Sequence, residues 1–192
     1  YSDKYRKKTL RMGDLLRLDE ENMKARLKMM LDAKNMELAG CYHQEPMSFP
    51  ALYKWCEEQA EKFKAYICDT GEFLDESLKK GKKVILEAQL GAMRDIDYGI
   101  FPYTSSSSTI AAYAPIGAGI PAHVPDHIVG VLKAYSTCVG AGPFVAETAM
   151  PQSWLDMLRR LGGEYGAATG RPRRVGPVDI PASCYGLKCQ NA

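Results

Sequence analysis

The feature that most constrains this chain is a break in texture at Gly81. Before it, apolar residues recur at helical spacing; after it, short β-branched runs are separated by a long stretch rich in Gly, Pro and Ser. A helical array followed by strands and loops reads as α/β. The chain accordingly divides into a basic segment over 1–17, a helical lobe over 18–81 and an α/β portion over 82–192.

In the lobe, Asp19 is placed to cap a helix whose Glu20 and Glu21 suit its positive N-terminal end. Met23, Leu27, Met30, Leu31 and Leu38 then form one stripe up to Gly40, which reads as core. Ser48, with Pro50 just inside, starts a second helix carrying Leu52, Trp55, Cys56, Ala60, Phe63, Tyr66 and Ile67 along one side. Thr70 and Glu72 restart the pattern, Leu74 and Leu78 continue it, and Gly81 stops it. Beyond Gly81, residues 83–87 predict a strand, residues 129–139 a second strand, and residues 152–161 a helix. Residues 89–125 lie between the two strands. Structureless segments of that length are functional or disordered, and Ile96, Ile100, Phe101, Tyr103, Ile110, Tyr113 and Ile116 argue against disorder here.

Composition removes several classes of function. With 25 Lys+Arg against 23 Asp+Glu the charge is too balanced for binding that rests on neutralising a nucleic acid's phosphates. No run approaches the roughly 20 apolar residues that span a bilayer, and no secretory leader opens the chain, so a soluble protein without an export signal is expected. Tyr1 in place of Met suggests an excerpt of a longer polypeptide. The six cysteines are irregularly spaced and expected to be reduced; Cys41, His43, Cys184 and Cys189 match no closed zinc motif.

Four segments could carry chemistry. Residues 166–174 combine Gly166 and Gly170, where backbone can approach a ligand, with the Thr169 hydroxyl and the planar donors of Arg171, Arg173 and Arg174. This suits capture of a carboxylate or phosphate, against the plainer reading of a solvated basic turn. Asp95 and Asp97 could hold a metal or exchange protons, against local turn formation. The hydroxyl run 105–109 could contact a phosphate, and Lys4, Arg6, Lys7, Lys8, Arg11 and Arg17 form the one basic cluster, a phosphate clamp or a solvated strip. Gly117-x-Gly119-x-x-Ala122 follows no strand and is interrupted by Pro121 and Pro125, so it is no dinucleotide fingerprint. No G-x-x-x-x-G-K-[ST] loop occurs.

Six strings taken together resemble adenylosuccinate synthetase: Gly13-Asp14-Leu15-Leu16, Asp95-Ile96-Asp97-Tyr98-Gly99, Pro102-Tyr103-Thr104-Ser105-Ser106, Leu132-Lys133-Ala134-Tyr135-Ser136-Thr137, Val139-Gly140-Ala141-Gly142-Pro143-Phe144 and Gly166-Ala167-Ala168-Thr169-Gly170-Arg171-Pro172-Arg173-Arg174. They run in register along nearly the whole chain, which corresponds to the middle of that family's polypeptide. The resemblance implies a piece of a larger mixed-sheet synthetase fold, a cytoplasmic homodimer, and GTP-dependent ligation of L-aspartate to IMP with Mg2+. In that family adenylosuccinate forms through a 6-phosphoryl-IMP intermediate, the first committed step of AMP synthesis. It implies IMP binding by Lys7, Arg11, Gln89, Ser105 and Arg171, the first two reaching the 5'-phosphate in the partner subunit. It implies aspartate binding by Ala167, Ala168, Thr169 and Arg171, and a place for Arg173 on the GTP side.

The sequence also departs from the family pattern. Gapless alignment puts Leu90 where the family has a glutamine and leaves Gln89 one place early. Lys7 replaces an arginine, a point charge for a bidentate donor. Ala168 replaces a common threonine, and Cys138 an arginine. The family's G-D-E-G-K-G-K loop, with its aspartate base and magnesium site, does not occur in these 192 residues. The resemblance therefore implies no catalytic residue and no metal ligand in this chain, and no turnover by it alone. A nucleotide-binding or dimerisation module without activity, and a related ligase acting on another purine nucleotide, remain as alternatives.

Overall fold

The computed structural model describes residues 2–87 and 91–192. They form two compact units, residues 1–73 and 74–192.

The first unit holds a short helix α1 (Ser2–Tyr5), a 3-10 turn (Met12–Arg17), α2 (Glu21–Tyr42) and α3 (Phe49–Phe63). Helix α2 starts after Glu20 rather than Asp19, and no side chain caps it. Glu20 instead pairs with Arg17, whose Nε and Nη2 donate to its two oxygens at 2.8 and 2.6 Å. That fork occupies the carboxylate next to the first turn, and Asp19 stays exposed. At α3 the expected cap is present: the Ala51 N–H donates to Ser48 Oγ at 3.4 Å, with a proline in the first turn. The Asn35 amide bonds the Met47 backbone through both its groups, each at 2.9 Å, and so ties the α2–α3 connection back to α2.

The core of this unit is Leu18, Met23, Leu27 and Cys56, with Leu10, Leu15, Phe49, Leu52 and Tyr53 packed against it. The stripe on α2 divides: Met23, Leu27 and Leu31 are buried, whereas Met30 and Leu38 are half-buried. On α3 only Cys56 is buried, and Trp55, Phe63 and Tyr66 stay exposed because α2 and the 3-10 turn cover one edge of the expected face. Leu27→Ala should destabilise the chain by about 2–5 kcal/mol, the cost of losing buried methyl groups and leaving a cavity. Urea unfolding followed by circular dichroism would check it; an unchanged midpoint would remove Leu27 from the core.

Helix α4 (Thr70–Lys79) begins with the Glu72 N–H donating to Asp69 Oδ1 at 3.1 Å and ends at Gly81, whose φ is 74°. The second unit continues with α5 (Ala114–Ala118), strand β1 (Ser136–Cys138), α6 (Gln152–Leu161), β2 (Arg174–Gly176) and α7 (Ile180–Gln190). The two strands pair antiparallel, Ser136 opposite Gly176, Thr137 opposite Val175 and Cys138 opposite Arg174. Helix α6 and the turn Val145–Thr148 pack against β2, and α7 packs against the turn Ala92–Arg94. Val175, Ala146 and Leu155 are buried around β2, and Pro115 and Ile120 are buried at α5.

Residues 83–87 are not a strand, and of 129–139 only Ser136–Cys138 pairs. A strand needs a neighbour for its N–H and C=O groups, and among the described residues neither segment has a further one. Ile85 and Val131 are consequently more than nine-tenths exposed. From residue 91 to residue 125 the chain runs as turns, two short 3-10 segments and α5, and Asp95 pins its first part from inside. No helix among the described residues is long and apolar enough to cross a membrane.

Candidate functional site

Residues 164–173 fold as a clasped hairpin. The Arg173 N–H donates to the Glu164 carbonyl at 2.9 Å and the Gly166 N–H to the Arg171 carbonyl at 2.8 Å, on either side of a bridge between Tyr165 and Pro172. At the tip, the Gly170 N–H donates to the Gly166 carbonyl at 2.8 Å, and the Arg171 N–H to Thr169 Oγ1 at 3.3 Å. Gly170 sits at φ 64°, a turn conformation that a side chain disfavours. This hairpin and the end of β1 enclose a hollow of about 220 Å³, lined by Thr169, Arg171, Arg173 and Arg174 opposite Cys138 and Gly140.

The three arginines of this hollow have different fates. Arg174 forms a two-pronged pair with Glu147, its Nε to Oε2 distance being 2.7 Å, and also donates to the Gly142 carbonyl at 2.7 Å. The guanidinium lies 5.3 Å from the Phe144 ring centre, so Arg174 is a structural bolt for residues 140–147. A methyl group on Gly142, at φ 108°, would run into the Tyr103 side chain, so this turn is closed to other residues. Arg173 pairs with Glu164 at 3.1 Å while its Nε is buried without a partner. The exposed Arg171 guanidinium has no acceptor among the described residues.

Glu164 lies at the hairpin's base, 4% exposed, and accepts from Lys133 Nζ at 2.8 Å and the Tyr135 hydroxyl at 2.7 Å besides Arg173. Burial pushes its carboxyl up, but bonds from Lys133 and Tyr135, the Lys133 charge and the Arg173 bond outweigh that and hold it below its ordinary value. Asp95 is wholly buried. One of its oxygens accepts the N–H groups of Asp97 and Tyr98 at 2.9 and 3.0 Å, and the other that of Thr109 at 2.6 Å. For Asp95 turn formation is therefore the correct reading. Arg94 beside it donates to the Tyr103 carbonyl, to Cys138 Sγ and to the Val139 carbonyl, tying the 94–105 turn to the end of β1.

Of the residues expected to bind ligand, Thr169, Arg171 and Arg173 share the hollow, whereas Ala167 and Ala168 are exposed on the hairpin. Ser105 is half-buried, its Oγ within 3.1 Å of Ser107 Oγ and its N–H on the Arg94 carbonyl at 2.8 Å. Gln89 lies outside the described residues. Lys7 and Arg11 belong to the first unit, are exposed, and their side-chain cations have no acceptor among the described residues. Lys7 holds φ 60°, and Arg11 is fixed by its N–H, which donates to Asp14 Oδ2 at 2.8 Å. Arg26, which sequence reasoning missed, reaches Asp14 at 3.2 Å and the Thr9 carbonyl at 2.6 Å and so pins the basic segment. Glu164 and Glu147 were missed as well. Their only local signal is an acid within a basic or apolar stretch.

The family model of adenylosuccinate synthetase matches residues 1–192. The adenylosuccinate synthetase of Caldicellulosiruptor bescii is 41% identical over 188 residues, 97% of this chain and 43% of that protein. That of Thermomicrobium roseum is 39% identical over 98% of this chain and 43% of its own length. The solved structure of fully ligated adenylosuccinate synthetase from Plasmodium falciparum aligns with a TM-score of 0.84 at 33% identity, over 99% of this chain and 43% of that one. The chain thus spans less than half the length of these relatives. With the family model covering every residue and the fold matching a family member, the chain belongs to the adenylosuccinate synthetase family.

Proposed function

We propose that this chain is the substrate-holding part of a GTP-dependent ligase that joins L-aspartate to IMP, and that Arg171 holds a carboxylate of the aspartate. The observation that carries this reading is the division of labour around the hollow: Arg173 and Arg174 are engaged by Glu164 and Glu147, while Arg171 presents its fork from a hydrogen-bonded tip with no partner among the described residues. A guanidinium on a pre-set backbone binds a carboxylate through two parallel bonds with little ordering cost. The Thr169 hydroxyl and the exposed backbone of Ala167 and Ala168 supply further polar contacts to the same ligand.

In the same reading Ser105 and Gln89 bind IMP, Arg171 binds it as well, Arg173 serves the GTP side, and Lys7 and Arg11 serve the 5'-phosphate of IMP in the partner subunit of a homodimer. Support for the last pair is the pinning of the segment by Arg26 while both exposed cations have no acceptor among the described residues. Magnesium does not fit the residues present. Asp95 spends its oxygens on backbone N–H groups, and no group of three or more His, Cys, Asp or Glu among the described residues could hold an ion. The contribution of this chain is to bind and orient.

In the full polypeptide that carries these residues, L-aspartate should protect Arg171 from phenylglyoxal when IMP and GTP are present. Equal modification with and without saturating aspartate, read by peptide mass spectrometry, would overturn the assignment. The 192-residue chain by itself should form no adenylosuccinate from IMP, aspartate and GTP. Turnover above the no-enzyme rate would place a catalytic base within it.

A further inference from the structure

From the way Glu164 joins three stretches of chain, we infer that it is the positioning residue of the aspartate-binding hairpin, setting where Arg171 points without touching substrate itself. This rests on the assignment of Arg171 to the aspartate carboxylate. Oε1 of Glu164 takes Lys133 and Tyr135, just before β1, and Oε2 takes Arg173, the last residue of the hairpin. Its main chain is equally committed, the carbonyl to the Arg173 N–H at 2.9 Å and the N–H to the Arg159 carbonyl at 2.9 Å at the end of α6. Arg159 Nε returns to the Arg173 carbonyl at 2.8 Å. The base of the hairpin is therefore held from both faces, and Arg171 stands two residues beyond the clasp.

The charge arrangement points the same way. Without Glu164, Lys133 and Arg173 would both lose their carboxylate, and Arg173, which lines the hollow, would be free to compete with Arg171 for an arriving carboxylate. With it, Arg171 is the cation of this hollow that remains unpaired among the described residues.

The closing experiment is steady-state kinetics of the full polypeptide with Glu164→Gln, Glu164→Asp and Arg171→Leu. Glutamine has the size of glutamate but one acceptor oxygen, so it can serve Lys133 and Tyr135 or Arg173 and not both. E164Q should raise the KM for aspartate about tenfold, on the scale of small misplacements in binding sites, with kcat changed less than threefold and a smaller shift in the KM for IMP. E164D keeps the charge with a shorter reach, and its aspartate KM should fall between wild type and E164Q; it carries the test if E164Q does not fold. If R171L raises the aspartate KM and the Glu164 variants leave it within twofold, or lower only kcat, the positioning role is overturned while the assignment of Arg171 stands. If R171L itself leaves that KM unmoved, the assignment falls and this inference with it.

Discussion

Arg171→Leu, in the polypeptide that carries this chain, is expected to raise the KM for L-aspartate by about 30- to 1,000-fold, because a two-pronged bond to a charged group is worth about 2–4 kcal/mol and each 1.4 kcal/mol is tenfold. The effect should be this large because no second guanidinium can take over. Arg174 is bolted to Glu147 and the Gly142 carbonyl, and Arg173 is paired with Glu164. Arg171→Lys should recover only part of the loss, since an ammonium offers a point charge instead of a fork. Initial rates at saturating IMP and GTP with aspartate varied would check both. A KM for R171L within threefold of wild type would show that the carboxylate is held elsewhere. Lowering the salt should leave the ratio nearly unchanged if the contact is enclosed, and enlarge it if the contact is a screened surface one, since only the wild type has the charge to be unscreened.

The largest loss of stability should come from Asp95→Ala, about 3–5 kcal/mol, because it empties a fully buried position, strands the buried Thr109 N–H and takes the acceptor from the half-buried bonds of the Asp97 and Tyr98 N–H groups. Asp95→Asn should cost less, since one oxygen remains, although its amide must then face a backbone N–H. Stability should also depend on pH through this group. Burial pushes the Asp95 carboxyl up, but the N–H groups of Thr109, Tyr98, Asp97 and Ile110 outweigh burial and hold it below its ordinary value. A carboxyl lowered by folding contributes in full above its unfolded pKa of about 4 and loses that contribution as pH falls through the lower folded value. The difference in urea midpoint between wild type and Asp95→Asn should thus be largest near neutral pH and narrow below pH ~4. A gap that stays constant down to pH ~2 would mean that the Asp95 contribution does not depend on its charge.

How much of this was legible in the sequence depends on how local the deciding interaction is. Ser48 with Pro50 marks the start of α3 because the cap bond joins residues three apart, and the amphipathic run at 152–161 is the helix Gln152–Leu161. Asp19 failed as a cap for an equally local but unseen reason, the pairing of Glu20 with Arg17. The strand expected over 83–87 had the right residues and no partner among the described ones, and β-branched residues favour a strand only where a neighbouring strand accepts their backbone bonds. The hairpin at 164–173 was visible as a glycine- and arginine-rich string. Which of its arginines is uncommitted was not, because Glu147 lies 27 residues before Arg174 and Lys133 lies 31 before Glu164.

By itself the sequence determined the helical first part, the α/β class and the family resemblance, since these rest on periodicity, caps and strings of neighbouring residues. Only the tertiary structure decided that Asp95 is a turn anchor rather than an acid or a metal ligand. Only it reduced the paired strand to Ser136–Cys138 and left Arg171 as the unpaired cation of the hollow among the described residues. The physical reason is common to all three: a charged side chain or an open strand is defined by the partner that satisfies it, and the sequence does not say which partner that is, whether it lies two or three residues on, as Asp97 and Tyr98 do for Asp95, or 27 residues away, as Glu147 does for Arg174.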